Sequence, residues 1–218
     1  MIAKKFDGVF EIGGKLATKN LVPGARVYGE KLVRVGKEEY RLWDPFRSKL
    51  SAAILKGLRE LPIGPGSHVL YLGAATGTTA SHVSDMVGKR GVVFCVEFAQ
   101  RSMRELLRVC ERRENMLPLF HDARKPEEYE RDVRRVDVIY QDVADPEQAE
   151  ILLRNARMLR KGGHAMLAIK SQSINIAEPP SWAYEKVLKE LAREFEVIQK
   201  IDLAPFHKGH LFALLRKR

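Results

Sequence analysis

His68-Val-Leu-Tyr-Leu-Gly-Ala-Ala-Thr-Gly-Thr-Thr79, followed by Val92-Val-Phe-Cys-Val-Glu97, is the stretch whose reading decides the fold. Val69 to Leu72 form an apolar run suited to a strand buried on both faces of a parallel sheet. Gly73 and Gly77 bracket the turn that follows, where the backbone must bend sharply and let a ligand come close to the main chain. A short helix and a second apolar strand come next, and Glu97 closes that strand. An acid about 20 residues beyond such a glycine turn is where nucleotide-binding folds hold ribose hydroxyls.

The turn lacks the Gly-x-Gly-x-x-Gly pattern. Only Gly73 and Gly77 are present, with Ala74, Ala75 and Thr76 between them. Three glycines serve to seat a pyrophosphate on a helix N-terminus. A ligand that carries adenosine without phosphate needs less, and S-adenosylmethionine is such a ligand. An ordinary strand-to-helix turn of an α/β protein accounts for these residues alone equally well.

The 218 residues suffice for one sizeable domain with a small appendage, and 45% hydrophobic residues supply its core. No apolar run reaches the roughly 18 residues of a membrane span. The N-terminal segment has no apolar stretch behind its lysines, so the expectation is a soluble, cytoplasmic protein. Cys95 and Cys110 lack Cys-x-x-Cys spacing and read as reduced, packed thiols rather than a zinc site. A formal charge of +10 favours a polyanionic partner, nucleic acid above all.

Upstream, short alternating stretches are punctuated by Gly13-Gly14, Pro23-Gly24, Gly29 and Gly36. Val9–Ile12, Arg26–Tyr28 and Leu32–Val35 fit short antiparallel strands, giving a small N-terminal β subdomain over residues 1–46. A helix follows Trp43-Asp-Pro-Phe. Leu50, Ala53, Ile54, Leu58 and Leu61 recur on one face of it, and Ser48 or Asp44 caps it. Lys49 stands in its first turn, against the macrodipole.

Downstream, strands and helices alternate through residues 47–218. Helices are expected over 99–113, 126–134, 146–159 (broken by Gly162-Gly163) and 182–194. Strands are expected at 116–120, 136–140, 164–169, 196–203 and 210–215. The last two are joined by only 204–209, too short for a parallel crossover, so they must run antiparallel. The result is an α/β fold with a seven-stranded, mostly parallel sheet and one reversed strand, a topology that resembles the class I S-adenosylmethionine-dependent methyltransferase fold more than a dehydrogenase. In such sheets ligands sit beyond the carboxyl ends of the strands. Those ends carry the Gly73 turn, Glu97, Asp122, Asp142 and Lys170. Helix capping explains any one of the acids, but four successive strand ends are harder to dismiss.

Tyr40-Arg-Leu-Trp-Asp-Pro-Phe-Arg-Ser-Lys-Leu50, Leu70–Thr79, Val96-Glu-Phe98, Asp122-Ala-Arg124, Asp142-Val-Ala144 and Ala168-Ile-Lys-Ser171 resemble, in order and over essentially the whole chain, the fibrillarin family in its compact archaeal form. The resemblance implies a box C/D guide-RNA-directed ribose 2′-O-methyltransferase acting on pre-rRNA and tRNA. It also implies S-adenosylmethionine as cofactor, and two protein partners: a Nop-family scaffold and a kink-turn-binding ribosomal protein. Carried over, the tetrad of the family falls on Lys49, Asp142, Lys170 and His210. The cofactor contacts fall on Gly73, Ala74, Gly77, Thr79, Ala80, Glu97, Phe98, Asp122, Ala123, Asp142, Val143, Ala144 and Asp145. Asp44, Asp145, Phe206 and Gly209 depart from the residues expected there, and His207 rivals His210. The remaining histidines, His68, His82, His121 and His164, read as structural or surface groups. The chemistry needs a base for a poorly nucleophilic hydroxyl, and an amine serves once burial or a second cation favours its neutral form. No metal is required, because the sulfonium is already a good leaving group.

Arg101, Arg104, Arg108 and Arg112 recur at helical spacing, as a solvated face or as a phosphate track. Arg124, Lys125, Arg134, Arg135, Arg154, Arg157 and Arg216-Lys-Arg add charge. No stacked-aromatic RNA motif is evident, so sequence selection falls to the guide. Two other readings stand beside this one: a non-catalytic subunit of an RNA particle, and a stand-alone RNA methyltransferase.

Overall fold

The computed structural model describes residues 2–133 and 135–218; Arg134, one of the basic residues above, lies outside them. Residues Ile2 to Leu42 form a five-stranded antiparallel sheet. Its strands are β1 (Ile2–Phe6), β2 (Val9–Ile12), β3 (Lys15–Lys19), β4 (Leu32–Val35) and β5 (Glu38–Leu42), in the order β1-β2-β3-β5-β4. β2 and β4 lie where the alternation puts them. Arg26–Tyr28, expected as a strand, is irregular. Its backbone amides are taken instead by a side chain, Val27 N–H and Tyr28 N–H donating to the Glu30 carboxylate at 3.0 and 2.9 Å.

The larger sheet has seven strands: β6 (His68–Leu72), β7 (Val92–Val96), β8 (Met116–Leu119), β9 (Val136–Gln141), β10 (Leu159–Lys170), β11 (Phe195–Asp202) and β12 (His210–Lys217). They lie in the order β11-β12-β10-β9-β6-β7-β8, and β12 alone runs antiparallel to its neighbours. Fold type and reversed strand are as the sequence predicts. β6 sits at the centre with Val69, Leu70, Tyr71 and Leu72 all buried. Alternate residues feed opposite layers. Val69 and Tyr71 join a core with α1 (Lys49–Leu55), α2 (Thr78–Val87), α3 (Gln100–Cys110) and the small sheet's Val9 and Leu16. Leu70 and Leu72 join a second core with α4 (Gln148–Asn155) and α6 (Pro180–Leu191).

Several local expectations need correction. α1 ends at Leu55, and Leu58 and Leu61 lie beyond it, because Gly57 turns the chain at φ 94°. The helix expected over 126–134 is a single 3₁₀ turn, Pro126–Glu128, which Tyr129 leaves at φ −134°. α4 stops at Asn155, and Gly162-Gly163 lies inside β10 rather than after a helix. There the pairing with β9 jumps from Leu159↔Val136 to His164↔Val138, a bulge that the glycines accommodate. The loop after Lys170 begins with one helical turn, α5 (Ser171–Ile174).

The two sheets are joined by buried charge. Arg41 on β5 donates from Nε to Glu30 at 2.6 Å, from Nη1 to Asp85 at 2.9 Å and from Nη2 to Ser81 Oγ at 2.9 Å. Arg113 donates from Nη1 to the other oxygen of Asp85 at 2.7 Å. All four charged side chains are at most 2% exposed, and they sum to zero charge. His82 extends the network: Tyr28 O–H donates to Nε2, Nδ1–H donates to Thr18 Oγ1, and Thr18 O–H donates to Asp85, at 2.8, 2.8 and 2.7 Å. Thr18 has one proton and gives it to the carboxylate, which fixes this histidine tautomer. Burial holds the His82 imidazole well below the usual histidine range.

Candidate active site

The catalytic candidates meet where the strand order reverses between β6 and β9, the place such sheets bind ligands. Asp142 follows the last residue of β9, and its N–H donates to Leu72 O at 2.9 Å. Gly73 follows Leu72 and crosses directly beneath Asp142. A Cβ at residue 73 would lie 2.9 Å from the Asp142 carbonyl oxygen, so a side chain there would push the two strand ends apart. Lys49 opens α1, which Ser48 caps by accepting from Ser51 N–H at 3.4 Å; Asp44 closes its own turn through Phe46 N–H. Lys49 Nζ donates to Asp142 Oδ2 at 3.0 Å. Lys170, the last residue of β10, places Nζ 2.9 Å from Oδ1 and donates its aligned hydrogen bond to the Asp142 main-chain oxygen at 2.8 Å. Oδ1 is thus in charge contact but has no aligned donor. Two ammonium groups share one carboxylate, each side chain only 15–16% exposed.

A residue the sequence reading missed holds Lys170 in place. The buried Gln148 side chain accepts from Lys170 N–H at 3.0 Å and donates to Lys170 O at 3.1 Å. Gln141 in turn donates to the Gln148 main chain at 2.7 Å. A glutamine in a helical first turn looks like a solvated residue in sequence, and nothing local reveals that it is buried.

His210 pairs directly with Lys170 across the β10–β12 ladder. Its Nδ1 lies 2.9 Å from Lys208 O, and a carbonyl only accepts, so Nδ1 carries the proton and Nε2 keeps its lone pair. His207 instead donates from Nε2 to Pro45 O at 2.8 Å, tying the β11–β12 connection to the segment before α1. The two rings are 5.9 Å apart. Burial lowers both imidazoles below the ordinary histidine value, and the Lys49 charge acts in the same direction.

Beside this cluster lies a cavity of about 320 Å³ whose wall includes Gly73, Glu97, Phe98, Asp122, Ala123, Asp142, Val143, Ala144, Asp145 and Lys170. Ala74, Gly77, Thr79 and Ala80, also expected as cofactor contacts, are not part of that wall. Ala74 and Ala80 are buried in the core, Thr79 donates to Ser48 Oγ at 3.0 Å, and a Cβ at Gly77 would meet Leu106 at 3.1 Å. Ala75 lines the cavity in their place, at the strained φ of 48°. Glu97 clasps the turn, accepting from Ala75 N–H at 2.8 Å and Ala99 N–H at 2.7 Å. Asp122 is engaged by Arg124 at 2.6 Å, and that side-chain hydrogen bond holds its carboxyl below the usual range. Arg124 also lies 3.9 Å from Asp145. Phe98 stands 66% exposed on the rim.

Of the arginine stripe on α3, Arg101 and Arg108 face a second cleft of about 620 Å³ together with Arg112. Arg104 is exposed and not among the residues lining it. Loop residues Ala25–Tyr28, Arg47 and Thr76 complete the lining. Cys95 is buried, Cys110 half-buried, and both are free thiols. No helix of the described residues is long and apolar enough to cross a membrane.

A family model described as Fibrillarin matches residues 1–218. A fibrillarin-like rRNA/tRNA 2′-O-methyltransferase of Pyrococcus abyssi is 51% identical over 219 residues, covering 98% of this chain and 96% of that one. The crystal structure of Aeropyrum pernix fibrillarin with natively bound S-adenosyl-L-methionine superposes with a TM-score of 0.91 at 47% identity, over 99% and 97% of the two chains. A structure of a fibrillarin/Nop5p complex gives a TM-score of 0.89 at 39% identity, over 97% and 98%.

Proposed function

The chain belongs to the fibrillarin family, and on that premise we infer that it transfers the methyl group of S-adenosylmethionine to ribose 2′-hydroxyls of rRNA and tRNA. The observation that carries this reading is the pair of lysines on Asp142, set against a ligand-sized cavity at the sheet's switch point. The cavity residues suit the cofactor. Glu97 retains acceptor capacity for ribose hydroxyls beyond its two backbone donors. Asp122 can accept from an adenine amino group, and Phe98 offers an aromatic face. The cradle under Asp142 leaves room only because residue 73 has no Cβ.

S-adenosylmethionine supplies a methyl group made electrophilic by the attached sulfonium. The rest is done by this chain. Two ammonium groups against one carboxylate leave one positive charge in excess in a partly buried site. A cationic ligand next door adds charge of the same sign. Lys170 Nζ is the group placed to act as base, taking the 2′-hydroxyl proton as the methyl passes from sulfur to that oxygen, the carbon–sulfur bond breaking as the carbon–oxygen bond forms. Asp142 keeps Lys49 and Lys170 in place and balances the remaining charge. His210, neutral with Nε2 free, stands in register with Lys170 as a further acceptor at the same edge. Holding the hydroxyl in line with the methyl–sulfur bond supplies most of the rate. In this reading residues 1–46 form the smaller lobe and 47–218 the transferase lobe.

The chain assembles with a Nop-family scaffold protein, as the related fibrillarin does with Nop5p. Box C/D guide RNA and a kink-turn-binding ribosomal protein complete the particle and select the nucleotide. The test starts with calorimetric titration of S-adenosylmethionine into the purified chain, with NAD as control. Methyl transfer to a guide-paired RNA by the reconstituted particle follows. Saturable binding of S-adenosylmethionine alone, then label on a single 2′-oxygen, is expected. Binding of NAD, or label elsewhere than ribose, would overturn the assignment.

A further inference from the structure

The cleft of about 620 Å³ between the Ala25–Tyr28 loop and α3 is lined by Arg26, Arg47, Arg101, Arg108, Arg112 and Arg113. Arg113 is committed to Asp85, and Arg108 lies 3.7 Å from Glu105. Arg26, Arg47, Arg101 and Arg112 form no ion pair with any described carboxylate, and Glu111 is the one other acid in the lining. An uncompensated cluster of guanidinium groups in a concave wall is a site for phosphate oxygens, which they contact in a fork.

The cleft is also held rigid. Its loop wall is irregular backbone, yet Val27 and Tyr28 are pinned by Glu30, which is pinned by the buried Arg41. Just beyond the end of its helix wall, Arg113 is fixed on Asp85. The guanidinium of Arg47 lies over the Tyr28 ring, 5.2 Å from its centroid. The buried network therefore sets the spacing between a loop of the small sheet and a helix of the large one. The cleft neighbours the catalytic edge along the chain: Thr76 belongs to the Gly73–Gly77 turn and follows Ala75 of the cofactor cavity, and Arg47 stands two residues before Lys49.

We propose that this cleft is a phosphate track, which binds the sugar–phosphate backbone of the substrate RNA strand flanking the methylated nucleotide. The proposal rests on the RNA methyltransferase reading and gives the small sheet a task in it: presenting Arg26. It uses no base edges, which suits an enzyme that must accept any target sequence.

The test is fluorescence anisotropy of labelled RNA with the purified chain over a salt series. The variants are Arg26→Gln, Arg112→Gln, the double variant, and Lys200→Gln on β11 as a charge-matched control. Each arginine variant should lower the slope of log affinity against log salt by ~0.7–0.9, equally for unrelated sequences, and the double by about twice that. Lys200→Gln should leave the slope alone, and S-adenosylmethionine affinity should hold throughout. Arg26→Lys and Arg112→Lys guard against misfolding, since they should restore most of the slope. An unchanged slope in the double variant, or an equal loss in Lys200→Gln, would overturn the track. So would displacement of RNA by inorganic phosphate at constant ionic strength, which marks a small-anion pocket. An effect of the variants on binding of a polyglutamate peptide but not of RNA would assign the cleft to an acidic protein segment instead. Guided methyl transfer by the wild-type particle is read separately, so loss of the track leaves the enzymatic assignment standing.

Discussion

Asp85→Asn removes one negative charge from the centre of the buried network and changes almost nothing in shape. In the wild type, two guanidinium groups face two carboxylates, and Asp85 accepts from Arg41, Arg113, Thr18 O–H and Leu21 N–H at 2.7–3.0 Å. Asparagine keeps one acceptor oxygen and turns an N–H₂ toward a guanidinium donor. One buried guanidinium is then left with a donor for a neighbour and no counter-charge. Breaking a buried pair from one side costs ~3–5 kcal/mol, a large share of a typical domain's stability. With an unfolding entropy of about 2.1 cal/mol/K per residue, the 218-residue chain loses roughly 7–11 °C in Tm. Circular dichroism melts at neutral pH and fixed salt read this directly. A Tm within ~2 °C of wild type would refute the reasoning, because it would mean the network carries no net charge pairing. A second measurement separates charge from packing: Arg113→Met added to Asp85→Leu should recover at least ~1 kcal/mol over Asp85→Leu alone.

Lys170→Met should lower methyl transfer by at least ~10²-fold, the usual contribution of a positioned base, and leave S-adenosylmethionine affinity within a few-fold; comparable single-turnover rates would remove Lys170 from that role. Glu97→Gln halves the acceptor capacity that clasps Ala75 and Ala99. Calorimetry should show S-adenosylmethionine binding weakened by ~10-fold or more, the value of a charged hydrogen bond, and an unchanged Kd would exclude the ribose contact. Burial keeps His82 neutral, with the Arg41 and Arg113 charges acting the same way, so its folded value lies below the 6.5 of the free side chain. The unfolded chain therefore takes up the proton first. Stability is full above pH 6.5 and falls below it, by up to ~1.4 kcal/mol per pH unit from this one group. His82→Asn should flatten urea-derived stability between pH 6.5 and 5, and a slope as steep as the wild type's would assign the acid sensitivity to other groups. His164, His207 and His210 are also lowered by burial and contribute in the same direction.

The main sheet could be read from the sequence because its strands are apolar runs ended by glycine, acid or lysine, and those ends are where ligands meet the chain. The short link between β11 and β12 was enough to reverse the last strand. Lys49, Asp142, Lys170 and His210 came from the family resemblance, with the first three also visible as odd charges at element ends. What the sequence hid is what depends on distant partners. Arg26–Tyr28 alternates like a strand, but its amides are claimed by Glu30. Gln148 looks solvent-facing, yet is buried by contact with a strand 22 residues away. His82 reads as a minor histidine, although it lies between two sheets. The helix expected over 126–134 had charge and length but too little apolar periodicity to pay for its order.

β12 does not extend the large sheet at its margin; it inserts between β10 and β11 and bonds to both along its length. His210 reaches Lys170 only through that insertion, while Lys49 and Asp142 meet across 93 residues of chain. The four residues therefore stand together only in the fully paired sheet: without β12, β10 has a free edge and Lys170 lacks His210 beside it. Hydrogen exchange would show the amides of β10 and β12 opening together, as one cooperative unit that switches on all at once.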